Sequence, residues 1–210
     1  MRIVSFLPSA TETLYELGLG RQLVGVTHEC KYPPAARKKP QVIHPSFDPA
    51  RMTGKEIDSK IVELVRSGGD IYLVDEKALK EADPELIVAQ GLCEVCSPFT
   101  KEIGRAVSVL GGKPDVLVLD PHDLDDVLVS IMDVAEKVGR VKEGRKLVSS
   151  LQKRIDAVRA MKVKGSRPKV ACIEWVDPPF TAGHWVPQMV EYAGGINGLS
   201  VAGEQSRRTD

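Results

Sequence analysis

Between residues 174 and 185 the chain gathers Glu174, Trp175, Phe180, His184 and Trp185, which include both of its tryptophans and one of its four histidines. Aromatic residues make up only 5% of the sequence, so this clustering is not a composition effect. Indole faces beside a few polar groups suit a bulky, partly apolar ligand. The His184 imidazole is a ligand for first-row metals, including the cobalt of a corrin or the iron of a haem. Glu174 is placed to accept from amides or to cap the helix that follows.

A second group is Cys93-x-x-Cys96. Such a pair serves as a redox couple on a helix, or as half of a four-ligand zinc site. His28 and Cys30 would complete a tetrad if their loop met that of the cysteines. Loop thiols beside a cleft are the competing reading. Tyr32, ahead of Pro33 and Pro34, is held by a stretch that cannot form regular structure.

The elements that must position these residues follow from periodicity. Short apolar runs at 2–6, 23–27, 71–74, 86–89 and 116–119 alternate with helical patterns, which predicts an α/β layer with a parallel sheet covered on both faces. Ser9-Ala10-Thr11-Glu12 has the spacing of a capping box, with its helix ending near Leu17 and Gly18. Residues 33–52, rich in proline and charge, are expected to form a long loop. Two amphipathic stripes follow without a strand signal: Leu124, Val127, Leu128, Ile131, Ala135 and Val138, then Leu147, Leu151, Ile155, Val158 and Met161. The second predicts a rod over 141–161, roughly 30 Å long at ~1.5 Å per residue. A new strand is expected at 169–173 and a helix at 186–192. The division is then an α/β lobe at 1–122, a helical connector at 123–166 and a partial α/β lobe at 167–210. One strand and one helix cannot bury their own apolar faces, so the last unit is expected to be truncated or completed by a second chain, a homodimer partner included.

Loops that follow parallel strands gather at one edge of the sheet. That places Pro8–Ala10, His28–Tyr32, 90–96 and 174–185 on one rim.

The formal net charge is zero, with 29 basic and 29 acidic residues, which argues against a nucleic-acid partner. No apolar run approaches the ~20 residues that span a bilayer. Residues 1–8 show no signal-peptide pattern, which predicts a cytoplasmic protein; a chain freed of an export signal would belong in the periplasm or outside the cell. There is no Walker loop, nucleophile elbow or paired catalytic carboxylates, so no enzymatic activity is expected.

Ser5-Phe6-Leu7-Pro8-Ser9-Ala10-Thr11-Glu12, Val24-Gly25-Val26, Tyr32-Pro33-Pro34 and Asp83-Pro84-Glu85-Leu86-Ile87 together resemble the first lobe of the helical-backbone (class III) substrate-binding proteins of ABC importers. Asp177-Pro178-Pro179-Phe180-Thr181-Ala182-Gly183 and Gly194-Gly195 look like the second lobe of its vitamin B12 branch. Leu92-Cys93-Glu94-Val95-Cys96, Glu174-Trp175 and Gly183-His184-Trp185-Val186-Pro187 are similar to a signal-less, cobalamin-binding subgroup.

The resemblance implies two Rossmann-like lobes joined by one long helix, with a corrinoid in the cleft between them. It implies that Tyr32 lies against the corrin face; His28, Cys93, Glu174, Trp175, Phe180, His184 and Trp185, on the same rim, are the further candidate ligand contacts. It also implies docking on a permease through an exposed glutamate on each lobe; near the first-lobe position this chain has Glu76 beside Lys77. The same fold would serve haem, an iron-siderophore or a bare metal ion. A subunit of a corrinoid-handling enzyme complex is the alternative of another class.

Overall fold

A computed structural model describes residues 1–91, 100–161 and 165–209 of the chain. The order is β1 (Ile3–Ser5), α1 (Pro8–Glu16), β2 (Leu23–Thr27), β3 (Gln41–Pro45), α2 (Gly54–Ser67), β4 (Tyr72–Val74), α3 (Glu76–Ala82), β5 (Leu86–Gln90), α4 (Thr100–Val109) and β6 (Asp115–Leu119). Then come α5 (Leu124–Lys137), α6 (Val141–Arg159), β7 (Lys169–Val170), β8 (Ile173–Val176), β9 (Pro179–Thr181), α7 (Val186–Tyr192), β10 (Ile196–Asn197) and β11 (Arg207–Arg208).

The first six strands form one sheet in the order β4-β3-β2-β1-β5-β6. Its central strands β1, β2 and β5 are continuous apolar runs because both of their faces are covered. Ile3, Leu86 and Val88 face Leu7 just before α1, Leu14 of α1, and Val134 and Ala135 of α5. The alternate residues Val4, Ile87 and Ala89 face Leu79 of α3, Ala106 of α4 and Leu110 just after it. Period-two alternation thus divides the core into two layers. Gly25 lies between them, where an added Cβ would be 2.8 Å from Val42 and 3.1 Å from Val4.

Three expectations need correction. Residues 33–52 are no loop: they contain β3, whose Val42 and Ile43 are fully buried, between single 3-10 turns at Ala36–Lys38 and Pro49–Arg51. The sheet is mixed, because β4 runs antiparallel to β3. An antiparallel edge on an otherwise parallel sheet is a common arrangement. The single strand expected at 169–173 is two short pieces, and Asp177-Pro178 forms the turn of an antiparallel β8–β9 hairpin that β11 extends. β7 pairs instead with β10, in parallel.

Helix starts also differ from expectation. α1 begins two residues earlier, with Pro8 in its first turn and Leu7 at the N-cap in place of Ser9, and no side chain caps it. Proline fits the first helical position because its missing N–H needs no partner there. Ser9 is therefore inside the helix, and the expected capping box does not form. A true capping box opens α2: Thr53 Oγ1 accepts from Glu56 N, and Glu56 Oε2 accepts from Thr53 N. These bonds hold the Glu56 carboxyl below its ordinary range.

α5 is started by Asp123, whose Oδ1 accepts from Asp126 N at 2.9 Å. Asp123→Ala is expected to cost about 1 kcal/mol through the lost cap. Chemical denaturation should show a lower midpoint at unchanged slope.

α6 spans 19 residues, about 28 Å at 1.5 Å per residue. It packs on α5 at one end, where Gly144 is buried against Ala135 and Met132. At its other end it meets α7, and the Arg159 guanidinium stacks 4.3 Å above the Tyr192 ring. α5 itself contributes Val134 and Ala135 to the buried interior beneath the large sheet.

Candidate functional site

A cleft of about 780 Å³ opens between α1 on one side and α5, α6 and the start of α7 on the other. Pro8, Ser9 and Ala10 come from the first turn of α1, Tyr32 from the loop after β2, and Gln90 from the end of β5. Loops and helix starts after parallel strands converge here, as the topology requires. The far side carries Leu147, Ser150, Leu151 and Arg154 of α6, with Trp185 and Met189 of α7. The volume lies within the ~300–1,000 Å³ of small-molecule sites, and the lining mixes aromatic, aliphatic and polar groups as such sites do.

Of the expected site residues, the structure brings Tyr32 and Trp185 to this cleft. Tyr32 is 60% exposed and follows its strand through a loop whose Tyr32–Pro33 peptide is cis. Trp185 is the N-cap residue of α7, its ring 5.8 Å from that of His184.

The others lie elsewhere. His28 sits beside the loop but packs on Tyr72, with ring centroids 6.1 Å apart, and its Nε2 is 3.3 Å from Glu29 Oε1. Glu174 is exposed on β8. Trp175 reaches across to the start of α2, where its ring would lie 3.4 Å from a Cβ on Gly54, and its Nε1 donates to Asp177 O. Phe180 is half-buried on β9, opposite Arg208. His184 takes a left-handed backbone with φ 55° and is tied by its N–H to Glu204 O at 2.6 Å and by its carbonyl to Gly203 N at 3.0 Å. It is held by the segment that leads to β11. Gly183 before it has no room for a side chain, since a Cβ would be 2.3 Å from Ser206 N.

Cys93 and Cys96 lie outside the described residues. The proposed partners Cys30 and His28 do not converge. Cys30 is buried on the α1–α5 side of the sheet, where Thr11 Oγ1 donates to its sulfur at 3.1 Å. His28 lies on Tyr72, which belongs to the opposite layer. Among the described residues no group of three or more His, Cys, Asp or Glu could hold a metal ion. Glu76, at the position read as a permease contact, is ion-paired to Arg105 Nη2 at 2.8 Å.

Sequence reasoning missed the helical contribution to the cleft. Leu147 and Leu151 form part of the stripe read as packing surface; they face the cleft instead. Leu151, Ile155 and Val158 also border an adjoining apolar cavity of about 440 Å³ between α5, α6 and α7. Ser9 and Glu12, read as a cap, line the cleft together with Thr13 and Glu16.

Burial lowers the pKa of His28, with the Glu29 charge acting against it, and burial lowers that of His184, with Glu174 opposing. Both histidines therefore fold best when neutral. As pH falls below their unfolded value of about 6.5, the unfolded chain takes up protons first, so stability declines until the folded values are passed. Denaturation at pH 7.5 and 5.5 should give the lower stability at pH 5.5, and His28→Gln should reduce the difference.

The sequence from residue 3 to residue 208 matches the periplasmic binding protein family. The chain belongs to that family. Its members are solute-binding proteins of ABC import systems. Solved structures share the fold across the whole chain. A possible iron-binding, periplasmic solute-binding protein from Staphylococcus epidermidis superposes with a TM-score of 0.68 at 22% identity, covering 100% of this chain and 70% of its own. The periplasmic vitamin B12-binding protein BtuF of Vibrio cholerae gives 0.67 at 19% identity, with 100% and 70% covered. The periplasmic heme-binding protein RhuT from Roseiflexus sp. RS-1 gives 0.70 at 20%, with the same coverage. No curated protein is significantly similar in sequence. Among the described residues, no helix is long and apolar enough to cross a membrane.

Proposed function

We propose that this solute-binding protein holds a corrinoid in the cleft between α1 and the α6–α7 side. The observation that carries the reading is the placement of Tyr32 and Trp185 on the same cleft from opposite ends of the chain. Two rigid aromatic groups there offer face contact to a flat macrocycle at low entropic cost. Ser9, Thr13, Gln90 and Ser150 supply hydroxyls and an amide at the rim for the polar periphery. The BtuF likeness agrees with this ligand class. In this proposal residues 1–122 form one jaw, 123–166 the connector and 167–210 part of the second jaw. The loaded protein would deliver its corrinoid to an ABC permease from the periplasmic side, or to a corrinoid-handling partner within the cytoplasm.

A specific observation supports haem as the second reading. Tyr32 and Met189 both line the cleft, and a phenolate or a thioether can ligate haem iron. Calorimetric titration with cyanocobalamin, haemin and zinc chloride, each alone, separates the readings. One cyanocobalamin bound per chain is the expected result. Heat from haemin alone would transfer the site to haem, and no heat from either macrocycle would end the proposal.

A further inference from the structure

The cleft has an electrostatic asymmetry that bears on which macrocycle it accepts. α1 turns one face to it, Ser9, Glu12, Thr13 and Glu16, at the spacing that aligns side chains along a helix. Both carboxylates are exposed, and neither is in an ion pair among the described residues. The wall opposite carries a single guanidinium, Arg154 of α6, also outside those ion pairs. Among the described residues, the charged groups lining the cleft are thus two carboxylates and one guanidinium, one net negative charge.

We infer that Glu12 and Glu16 are specificity-determining residues that select a macrocycle with a neutral, amide-bearing periphery over one that carries carboxylates. The inference rests on the reading of the cleft as a macrocycle site and sharpens it. Amide N–H groups are donors, and carboxylates and hydroxyls along one helix face are their acceptors. A ligand that turns its carboxylates to the α1 side meets like charge there, and Arg154 on the other wall can answer only one of them. Rejection by unpaired or like charge is a stronger discriminator than a change in fit. A corrinoid ringed by amides matches the wall; haem with its two propionates does not.

The test compares cyanocobalamin and haemin on the wild-type chain and on a Glu12→Gln, Glu16→Gln double variant. Glutamine keeps length and hydrogen bonding and removes only the charge. The expected result is haemin affinity raised on the order of tenfold in the variant, from loss of like-charge repulsion at partly screened distance. Cyanocobalamin should weaken about threefold as charge-assisted acceptors become neutral. Haemin binding to the wild type should also tighten between 20 and ~200 mM salt as the repulsion is screened, and that salt response should shrink in the variant. If wild type binds both macrocycles and their affinity ratio is unchanged in the variant, the inference is overturned while the macrocycle reading stands. If wild type binds neither, both are overturned together.

Discussion

Gly144→Leu is expected to lower stability by about 3 kcal/mol, the upper end of ordinary overpacking costs. Gly144 is buried where α6 crosses α5, and even a bare Cβ there would lie 2.4 Å from the Ala135 Cβ and 3.2 Å from Met132 Sδ. Ala135 is fully buried beneath the large sheet and cannot give way. The helix must therefore move off α5 and carry Leu147, Ser150, Leu151 and Arg154 out of the cleft wall. For a chain of this size a melting point lower by about 6–12 °C follows, together with weakened ligand binding. Gly144→Ala tests the cause. Helix propensity alone would make alanine stabilising by about 1 kcal/mol; close approach makes it destabilising. A higher melting point for Gly144→Ala would show that α6 does not lie against α5 in this way.

The second large effect is on binding. Trp185→Ala should weaken cyanocobalamin on the order of 30- to 100-fold, the scale at which a central aromatic contact is lost. The indole stands at the N-terminus of α7, 5.8 Å from the His184 ring, and lines the cleft. Trp185→Phe keeps a flat face and should recover most of the loss. Trp175→Ala should leave affinity within about threefold, because Trp175 packs on the start of α2 rather than in the cleft. Isothermal calorimetry on the three variants measures this order, and equal losses at Trp175 and Trp185 would contradict the placement of the site.

What could be read from the sequence was set by how strongly each feature repeats. The strands β1, β2 and β5 are buried on both faces, so they show as continuous apolar runs, and β6 shows as one although Val118 is exposed at the sheet edge. β3 was hidden because only Val42 and Ile43 of its five residues are fully buried, among prolines at 40 and 45. The orientation of β4 leaves no trace in its composition, since parallel and antiparallel edges use the same residues. The long helix was legible from its stripe, but a stripe identifies a face and not what faces it. Four of its five residues, Leu147, Leu151, Ile155 and Val158, border the cleft or the adjoining cavity.

The site shows the same limit more sharply. Tyr32 and Trp185 stood out by type and context. Glu12 and Glu16 did not, because Ser9-x-x-Glu12 satisfies the pattern of a helix cap and that local explanation was sufficient. Only the start of α1 at Pro8 shows that the capping geometry is unavailable and that these side chains are free to serve the cleft. His184 was conspicuous beside two aromatic residues, yet its left-handed backbone and its bonds to 203 and 204 fix it outside the cleft lining. Backbone conformation decided its position, and no side-chain pattern encodes that.

The most direct measurement uses the two tryptophans of the chain. In a Trp175→Phe background Trp185 is the sole indole, and a corrinoid seated against it absorbs its emission. Titration with cyanocobalamin should quench that fluorescence to saturation at one equivalent, and Tyr32→Ala should shift the curve to higher concentration. Emission from Trp185 that remains unchanged while calorimetry records binding would place the ligand elsewhere on the molecule and contradict the account.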